Sequence, residues 1–561
     1  MAFGSVLAER IDSPEARKSR GAFFTPPAMT DYLCSCLLRS KDDRVLEPAC
    51  GEGEFLVSAA ARLTTLGASR EDVSQQLLAC DLHPKTVEAA RARLSELGLR
   101  PNIVVGDFFG MDATEDADVA LGNPPYIRYQ EFSGEQRELA KQRALEQGVR
   151  ISSLSSSWAP FVVHACSFLR RGGRLGMVLP AELLSANYAG AIRAYFLAHF
   201  TQLRVVMFER SVFPEVEEEV ILLLAEGYGL GVCKGVYMLQ VESMDIMGSG
   251  VETFCTVTGE QRWPLGAQGA RAHELLRDAR HLVSLADWGT VRLGAVTGAN
   301  DYFCLSADEA DRLGLGEDDV VALCPAGSRH LRGLSYGTED FERLSTHRAR
   351  TLLFYPGDEP SEAALRYIRY GLELGVDQRY KCRARKPWWR VSGIATCDLF
   401  VTYMNGVGPN LCSNEEAYVF LNSVHGLRLR EPLGSLGRRQ LPLAYLSTPS
   451  QLSAEVYGRA YGGGILKLEP REAMRTLVLG PEEVEACATD FDSMRATVQA
   501  ALLKGRRQQA TETIDATILR HGLVEADALV EMQACLAGLR FRRMQRTTNK
   551  RTGKAAYDQR T

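Results

Sequence analysis

The stretch Val45–Leu56, VLEPACGEGEFL, joins a short apolar segment to an amphipathic one through two glycines. Glycine lets the backbone turn sharply and lets a ligand approach it closely. The stretch is not GxGxxG, and it lacks the Lys-Ser/Thr pair of a phosphate-binding loop. By itself it suits a plain strand-to-helix turn and a ligand-binding loop equally well.

Short apolar strands and amphipathic helices alternate on the C-terminal side of this stretch. Helical segments such as Phe55–Leu66 and Pro84–Leu97 carry apolar residues at three-to-four spacing. The predicted strands are Val45–Leu46, Gln76–Cys80, Ile103–Val105, Val119–Leu121, Gly173–Pro180, Arg204–Phe208 and Val220–Ala225. This alternation predicts an α/β fold with a doubly wound, mostly parallel, seven-stranded sheet, whose ligands bind beyond the carboxyl ends of the strands. The last two strands have no helix between them, which predicts an antiparallel pair.

Carboxylates mark the ends of the first three predicted strands, as Glu47, Asp81 and Asp107. A carboxylate after the second strand is well placed to accept ribose hydroxyls. One after the third strand is placed to accept an adenine amino group, with Phe108 covering the ring. Each carboxylate alone also suits a helix N-cap. The three together predict a nucleoside cofactor.

The fourth predicted strand ends in LGNPPYIRYQ, Leu121–Gln130. Two consecutive prolines lack N–H donors and have a fixed φ, so the turn is rigid. It places the amide of Asn123, a stiffened carbonyl and the ring of Tyr126 together at a strand end.

The order of these segments resembles that of a known enzyme group. GAFFTPP (Gly21–Pro27), EPACGEG, the carboxylates and NPPY follow one another as in the class I S-adenosylmethionine-dependent methyltransferases, specifically the gamma group of DNA adenine-N6 methyltransferases. The resemblance covers about residues 18–227. NPPY is shared with protein-glutamine and some ribosomal-RNA methyltransferases, so RNA or protein substrates stay open, as do cytosine-N4 methylation and a DNA-binding subunit without catalysis.

The resemblance implies S-adenosyl-L-methionine as cofactor and assigns roles to individual residues. Asn123 and the Pro124 carbonyl would accept the hydrogens of the target amine, on a turn stiffened by Pro125. Tyr126 would stack on a flipped base, and Phe213 would cover its other face, unless Phe213 is a core residue. The implied cofactor-binding residues are Phe24, Thr25, Glu47, Ala49, Cys50, Gly51, Gly53, Asp81, Asp107, Phe108 and Asn123.

The regular alternation ends near Gly227, and the resemblance implies that a separate target-recognition domain follows, expected to be mixed α+β with a helical C-terminal part. The expected divisions are 1–230 (catalytic), 231–285 (connection), 286–540 (recognition) and 541–561 (basic flexible tail). Basic residues interleaved with aromatics around 379–390 suit phosphate neutralisation, or else a solvated basic strand with a buried Trp. The candidate DNA-binding residues are Thr297, Asn300, Arg383, Arg385, Lys386, Trp388 and Trp389.

A polar, serine-rich stretch, 131–157, follows the NPPY segment directly. It suits a solvated helix and linker, and equally a mobile element that orders over DNA or cofactor.

Composition limits the class of protein. The chain has 561 residues, a net charge of −5 and 14 scattered cysteines, with no CxxC pairs, no apolar run long enough for a bilayer and no signal peptide. We therefore expect a cytoplasmic protein with reduced cysteines, no membrane association and no metal. The basic regions of the second half make the net charge compatible with double-stranded DNA as substrate.

The expected activity is site-specific methylation of adenine that protects DNA from a cognate restriction endonuclease. The TPP segment starts near residue 21, so we expect no nuclease domain before it and a separate chain for that endonuclease. A monomer is expected, because one pair of domains suffices for an asymmetric site.

Overall fold

The predicted alternation of strands and helices is present in the structure, a computed structural model. It describes residues 25–208, 220–241, 250–259, 262–264, 266–461 and 464–558. The chain divides into two units, Met1–Ala270 and Arg271–Thr561. Within the described ranges, no helix combines the length and the apolar character needed to cross a bilayer.

The elements of the first unit follow the expected order. Helices α1 to α8 are Pro27–Leu37, Glu54–Thr65, Arg70–Gln76, Pro84–Glu96, Gly134–Glu146, Trp158–Ser167, Glu182–Ser185 and Gly190–His199. Strands β1 to β9 are Val45–Glu47, Leu77–Asp81, Asn102–Val105, Ala117–Gly122, Leu169–Pro180, Gln202–Phe208, Val220–Glu226, Gly235–Val241 and Val251–Thr256.

These strands form one sheet in the order β3-β2-β1-β4-β5-β7-β6-β8-β9. The neighbours from β3 to β5 are parallel, and β7 pairs antiparallel with both β5 and β6. The mostly parallel sheet and its antiparallel closing pair are confirmed. The sheet has nine strands among the described residues instead of the predicted seven, because β8 and β9 extend it. The predicted domain end at residue 230 is therefore too early.

The sheet is buried on both faces, as its apolar runs require. All six residues of β4 are buried, and six of the seven residues of β7 are buried. Parallel sheets covered by helices on both sides have such continuous apolar strands. Strand order reverses between β1 and β4, since β1 pairs with β2 on one side and with β4 on the other. The loops after β1 and β4 therefore leave the sheet side by side, where ligands bind in open α/β sheets.

The second unit is a mixture of small sheets and helices, as predicted. Helices α9 to α22 are Gly266–Asp278, Leu285–Trp288, Asn300–Phe303, Ala307–Leu313, Thr338–Thr346, Glu362–Glu373, Tyr380–Arg383, Gly434–Ala444, Thr448–Tyr457, Pro470–Arg475, Pro481–Ala486, Ala488–Leu503, Arg507–Arg520 and Ala526–Asp558. Strands β10 to β22 are Leu282–Ser284, Gly289–Leu293, Cys304–Leu305, Val320–Ala322, Ser335–Tyr336, Leu352–Phe354, Leu399–Thr402, Met404–Asn405, Leu411–Asn414, Val424–Leu429, Arg459–Tyr461, Ile465–Lys467 and Leu477–Leu479. Its largest sheet has the order β11-β19-β16-β18-β14, and α19 to α22 make the helical C-terminal part.

The predicted flexible tail from residue 541 is wrong where it begins, because that region continues α22. Arg543 is 4% exposed. Its guanidinium pairs with the buried carboxylate of Glu455, with Nη2 to Oε1 at 2.7 Å, and Nη1 donates to the Gly406 carbonyl at 2.8 Å. A run of arginines suggested a solvated tail, but this arginine has a buried carboxylate partner 88 residues away.

Candidate active site

The loop between β1 and α2 has the left-handed backbone that its glycines permit. Gly51 has φ 50° and Gly53 has φ 82°. A Cβ added to Gly53 would lie 3.1 Å from the Cβ of Ala90, so α4 packs directly against the loop. The Cys50 N–H donates to the Cys80 carbonyl at 2.9 Å, which ties the loop to the end of β2. The glycines thus allow a tight turn that leaves backbone available to a ligand.

Arg93, on α4, holds the far end of this loop. Its Nη1 donates to the Glu52 carbonyl at 3.0 Å, and its Nη2 donates to the Glu54 carboxylate at 3.0 Å. Arg93 could not be predicted from the sequence, because an arginine on an amphipathic helix about 40 residues downstream gives no local sign of this contact.

Asp81 connects the ends of β1 and β2. Its Oδ2 accepts from the Gly51 N–H at 2.8 Å. Its Oδ1 accepts from the His83 N–H at 2.9 Å and from the Thr86 hydroxyl at 2.8 Å. A carboxylate has about four acceptor sites and Asp81 is only half-buried, so it keeps capacity for a ligand hydroxyl.

Glu47 is buried at the base of the same loop, with 2% of its surface exposed. Among the described residues, its Oε2 has no hydrogen-bond partner. Burial, then the nearby charge of Asp81, raise the pKa of Glu47 well above its ordinary value, while the Leu56 backbone N–H lowers it. A buried carboxyl with an open oxygen is costly unless a partner arrives, so this atom favours a ligand with a hydrogen-bond donor.

The remaining cofactor candidates differ in exposure. Asp107 caps the short 3-10 turn Phe108–Gly110 by accepting from the Phe109 N–H at 3.0 Å. Phe108 is 3% exposed and packs on His164, with ring centroids 4.6 Å apart, so little of its ring is open to an adenine. Ala49 is half-buried, and burial raises the pKa of the Cys50 thiol well above its ordinary value. Phe24 lies outside the described residues.

Thr25 and Asn123, 98 residues apart in the sequence, meet at the end of β4. The Asn123 Nδ2 donates to the Thr25 hydroxyl at 3.2 Å. Thr25 is 5% exposed, so this contact fixes the plane of the amide and turns its Oδ1 away from Thr25. The TPP and NPPY segments, which only the family resemblance connects in the sequence, are in direct contact.

The rest of the NPPY segment is held by hydrogen bonds to β5 and to the start of α6. The Tyr126 hydroxyl donates to the Val178 carbonyl in β5 at 2.8 Å, and Tyr126 is 8% exposed. The Ser157 hydroxyl donates to the Pro125 carbonyl at 2.5 Å. In the sequence, Ser157 is only the last residue of a serine-rich stretch. Phe213 lies outside the described residues, so its predicted role stays a prediction.

The polar stretch after NPPY contains the helix α5, which packs on neighbouring segments, and both interpretations of the stretch stay open. Arg143 donates to the Phe109 carbonyl at 2.9 Å and pairs with Asp112 at 2.8 Å. Arg137 donates to the Phe132 carbonyl at 3.0 Å. The helix therefore contacts both the segment after β3 and the segment after NPPY.

In the second unit, the two predicted DNA-binding segments form one surface. A Cβ added to Gly298, whose φ is 79°, would lie 2.5 Å from the Cβ of Lys381. Arg379 makes a two-bond ion pair with Asp301, at 2.5 and 2.8 Å. These contacts join the turn 297–300 to the basic segment about 80 residues downstream.

Two of the predicted DNA-binding side chains point into the protein. Thr297 is 1% exposed, and its hydroxyl accepts from the Ala299 N–H at 3.1 Å and donates to Asn300. Arg385 is half-buried, donates to the Val296 carbonyl and lies 5.9 Å over the Phe303 ring. The Thr297 hydroxyl and one nitrogen of Arg385 thus bond within the protein, and direct DNA contact by these two side chains stays a prediction.

The other candidates reach the surface to different extents. Asn300, Arg383 and Lys386 are exposed. Trp388 is half-buried against Tyr302, with ring centroids 5.6 Å apart, and Trp389 is half-buried under the guanidinium of Arg390 at 5.3 Å.

Comparisons with known families divide the chain where the structure does. The family profile described as N-6 DNA Methylase matches residues 10–243. The profile of the C-terminal domain of the type II methyltransferase M.Eco57I matches residues 264–519. The first match ends at residue 243 and the second begins at residue 264, close to Ala270, the last residue of the first unit.

Curated relatives are similar over both units. The type II methyltransferase M.AccI of Acinetobacter calcoaceticus is 22% identical over 490 residues, 83% of this chain and 86% of that protein. M.XamI of Xanthomonas campestris pv. amaranthicola is 23% identical over 485 residues, with the same coverage. The solved structure of the type IIL restriction–modification enzyme MmeI in complex with DNA has a similar fold, with TM-score 0.52 and 11% identity over 92% of this chain and 75% of that one. A methyltransferase family profile therefore matches each unit, and type II methyltransferases are homologues of the chain over both.

Proposed function

We propose that the protein transfers a methyl group from S-adenosyl-L-methionine to N6 of an adenine at one recurring site in duplex DNA, after the adenine has left the helix. This proposal depends most on the position of the Asn123 amide. Thr25 orients this amide at the end of β4, and the neighbouring strand β1 ends in the glycine loop. Base flipping follows from the chemistry, because N6 is paired within the duplex and the site lies at a sheet edge.

The residues at the sheet edge fit the proposed cofactor. The loop of Gly51 and Gly53 leaves room for close backbone approach, Asp81 suits a ribose, and Asp107 suits an adenine amine. Glu47 has an open buried oxygen for a donor. When bound, S-adenosylmethionine supplies a methyl group activated on a sulfonium. The chain's own contribution is to hold and orient it.

The NPPY segment would prepare the target amine for attack. The lone pair of an exocyclic amine is delocalised into the purine ring, so the nitrogen is a weak nucleophile. The Asn123 Oδ1 and the Pro124 carbonyl would each accept one of its hydrogens and draw it toward tetrahedral geometry. Transfer then depends on positioning and electrostatics, with one proton leaving the nitrogen afterwards. The fixed ring of Tyr126 supports base stacking, worth about 1–3 kcal/mol.

The second unit would bind the DNA through the joined surface of 297–300 and 379–386. Arg383 and Lys386 are exposed cations suited to phosphates, and Asn300 is an exposed amide suited to a base edge. We further propose that a separate endonuclease chain cuts the same site when it is unmethylated, and that the methyltransferase acts as a monomer in the cytoplasm.

A transfer assay with competing acceptors tests the proposal. Purified protein is given cofactor with a labelled methyl group and, in separate reactions, unmethylated duplex DNA, RNA and a cell-protein extract. The proposal predicts label in DNA, with N6-methyladenine as the labelled nucleoside. Label in RNA, in protein glutamine or at cytosine N4 would instead select one of the alternatives that NPPY leaves open.

A further inference from the structure

Ser157 holds the peptide groups on both sides of Tyr126. Its hydroxyl donates to the Pro125 carbonyl at 2.5 Å and accepts from the Ile127 N–H at 2.9 Å. The Ser157 N–H donates in turn to the Ile127 carbonyl at 3.0 Å. The two peptide groups that flank Tyr126 are therefore fixed by one residue, 30 to 32 positions downstream of the groups that it bonds.

The use of this hydroxyl is unusual for its place in the fold. Ser157 stands at the N-cap of α6, where a serine ordinarily bonds to an N–H of the first turn and stabilises the helix by about 0.5–2 kcal/mol. Ser157 makes no such bond. Ser69, at the N-cap of α3, does make one, with the Asp72 N–H. The Ser157 hydroxyl therefore does not cap α6 and instead bonds to the NPPY segment.

Its neighbours keep this hydroxyl in place. Ser157 is 1% exposed, and Trp158 beside it is fully buried. The Trp158 indole N–H donates to the Tyr188 hydroxyl at 3.0 Å, which anchors the start of α6 beyond the end of β5. Because the support is itself fixed, Ser157 can hold the NPPY turn rigidly.

We propose that Ser157 is a positioning residue for methyl transfer, an inference that rests on the proposed function. It sets the direction of the Pro124 carbonyl and the place of the Tyr126 ring through the peptide groups on either side. The Thr25 bond fixes the side chain of Asn123 in the same segment. Ser157 therefore acts on the target amine and base, and not on the cofactor loop after β1.

The test compares Ser157→Ala with Ser69→Ala in the full-length protein. Three quantities are measured: the single-turnover rate of methyl transfer, the affinity for S-adenosylmethionine by calorimetry, and the fluorescence of 2-aminopurine at the target position. S157A should slow methyl transfer about 10- to 100-fold, since misplacement of the reacting groups by about 1 Å costs up to about 100-fold in rate. It should also reduce the change in 2-aminopurine fluorescence that duplex binding causes. Its cofactor affinity should stay at the wild-type value. S69A removes a comparable hydrogen bond and should leave all three unchanged.

Ser157→Thr separates hydrogen bonding from packing. Threonine keeps the hydroxyl but adds a methyl group at a buried site, whereas alanine fits the space. The proposal predicts that S157T transfers methyl faster than S157A, and a packing role predicts the reverse order. A wild-type rate for S157A, or equal loss of transfer and cofactor affinity, would overturn the inference about Ser157 alone. A wild-type protein that methylates no DNA adenine would instead overturn the proposed function.

Discussion

Arg93→Ala should weaken cofactor binding without slowing transfer at saturating cofactor. The two Arg93 bonds hold the Glu52 carbonyl and the Glu54 carboxylate, on either side of Gly53. Without them, one or two loop residues lose their fixed conformation, and ordering a residue costs about 1–2 kcal/mol. We take about 1–2 kcal/mol in total, because the Arg93 side chain is partly exposed and water replaces some of the lost bonding.

A cost of that size raises the dissociation constant for S-adenosylmethionine about 5- to 30-fold. Isothermal titration of wild-type protein, R93A and K85A gives the three constants. Lys85 is an exposed residue of the same helix, so K85A is the matched control and should bind like wild type. An unchanged constant for R93A, or a lowered turnover at saturating cofactor, would refute the idea that Arg93 pre-orders the loop.

Three further substitutions test other parts of the site. Asn123→Ala should lower turnover by at least about 100-fold, because the amide acts on the target amine. The affinity for the cofactor, measured by calorimetry, should stay unchanged. Equal loss of turnover and cofactor affinity would assign Asn123 to the cofactor instead. Glu47→Gln should raise the free energy of unfolding at about pH 8 and have no such effect at about pH 4. The pKa of Glu47 is raised in the folded state, so as pH rises the carboxyl ionises first in the unfolded chain, which lowers the stability of the wild-type protein above that pH. An effect that chemical denaturation shows to be independent of pH would contradict this. Gly298→Ala should destabilise the protein by about 1–3 kcal/mol, because the φ of Gly298 is 79° and Lys381 occupies the space of the new methyl group. The same substitution should weaken duplex binding, measured by fluorescence anisotropy. Unchanged stability would refute the close packing.

The sheet and its strand-end residues were predictable because they depend on local patterns. A strand buried on both faces is an apolar run, and the residue that ends it marks the ligand edge. Glu47, Asp81 and Asn123 were found in this way, and all three lie at that edge of the sheet. Strands β8 and β9 were missed, because both lie beyond Gly227, where the regular alternation of the sequence ends.

The residues that support the site were not predictable, since they act through contacts between distant parts of the chain. Arg93 and Ser157 bond to backbone groups 30 to 41 residues away, and their own surroundings in the sequence look like an ordinary helix and linker. Conversely, Thr297 and Arg385 have the residue types of a DNA contact but direct their polar groups inward. Composition identifies what a side chain can bond to, and only the fold determines which partner it meets.

Sequencing DNA by a method that reports modified bases tests the central claim most directly. A plasmid is recovered from cells that express the wild-type protein and, in parallel, from cells that express the N123A variant. The proposed function predicts N6-methyladenine at one short recurring sequence with wild type and at none with N123A. Unmodified adenine throughout the wild-type sample, from cells in which the folded protein is present, would contradict it.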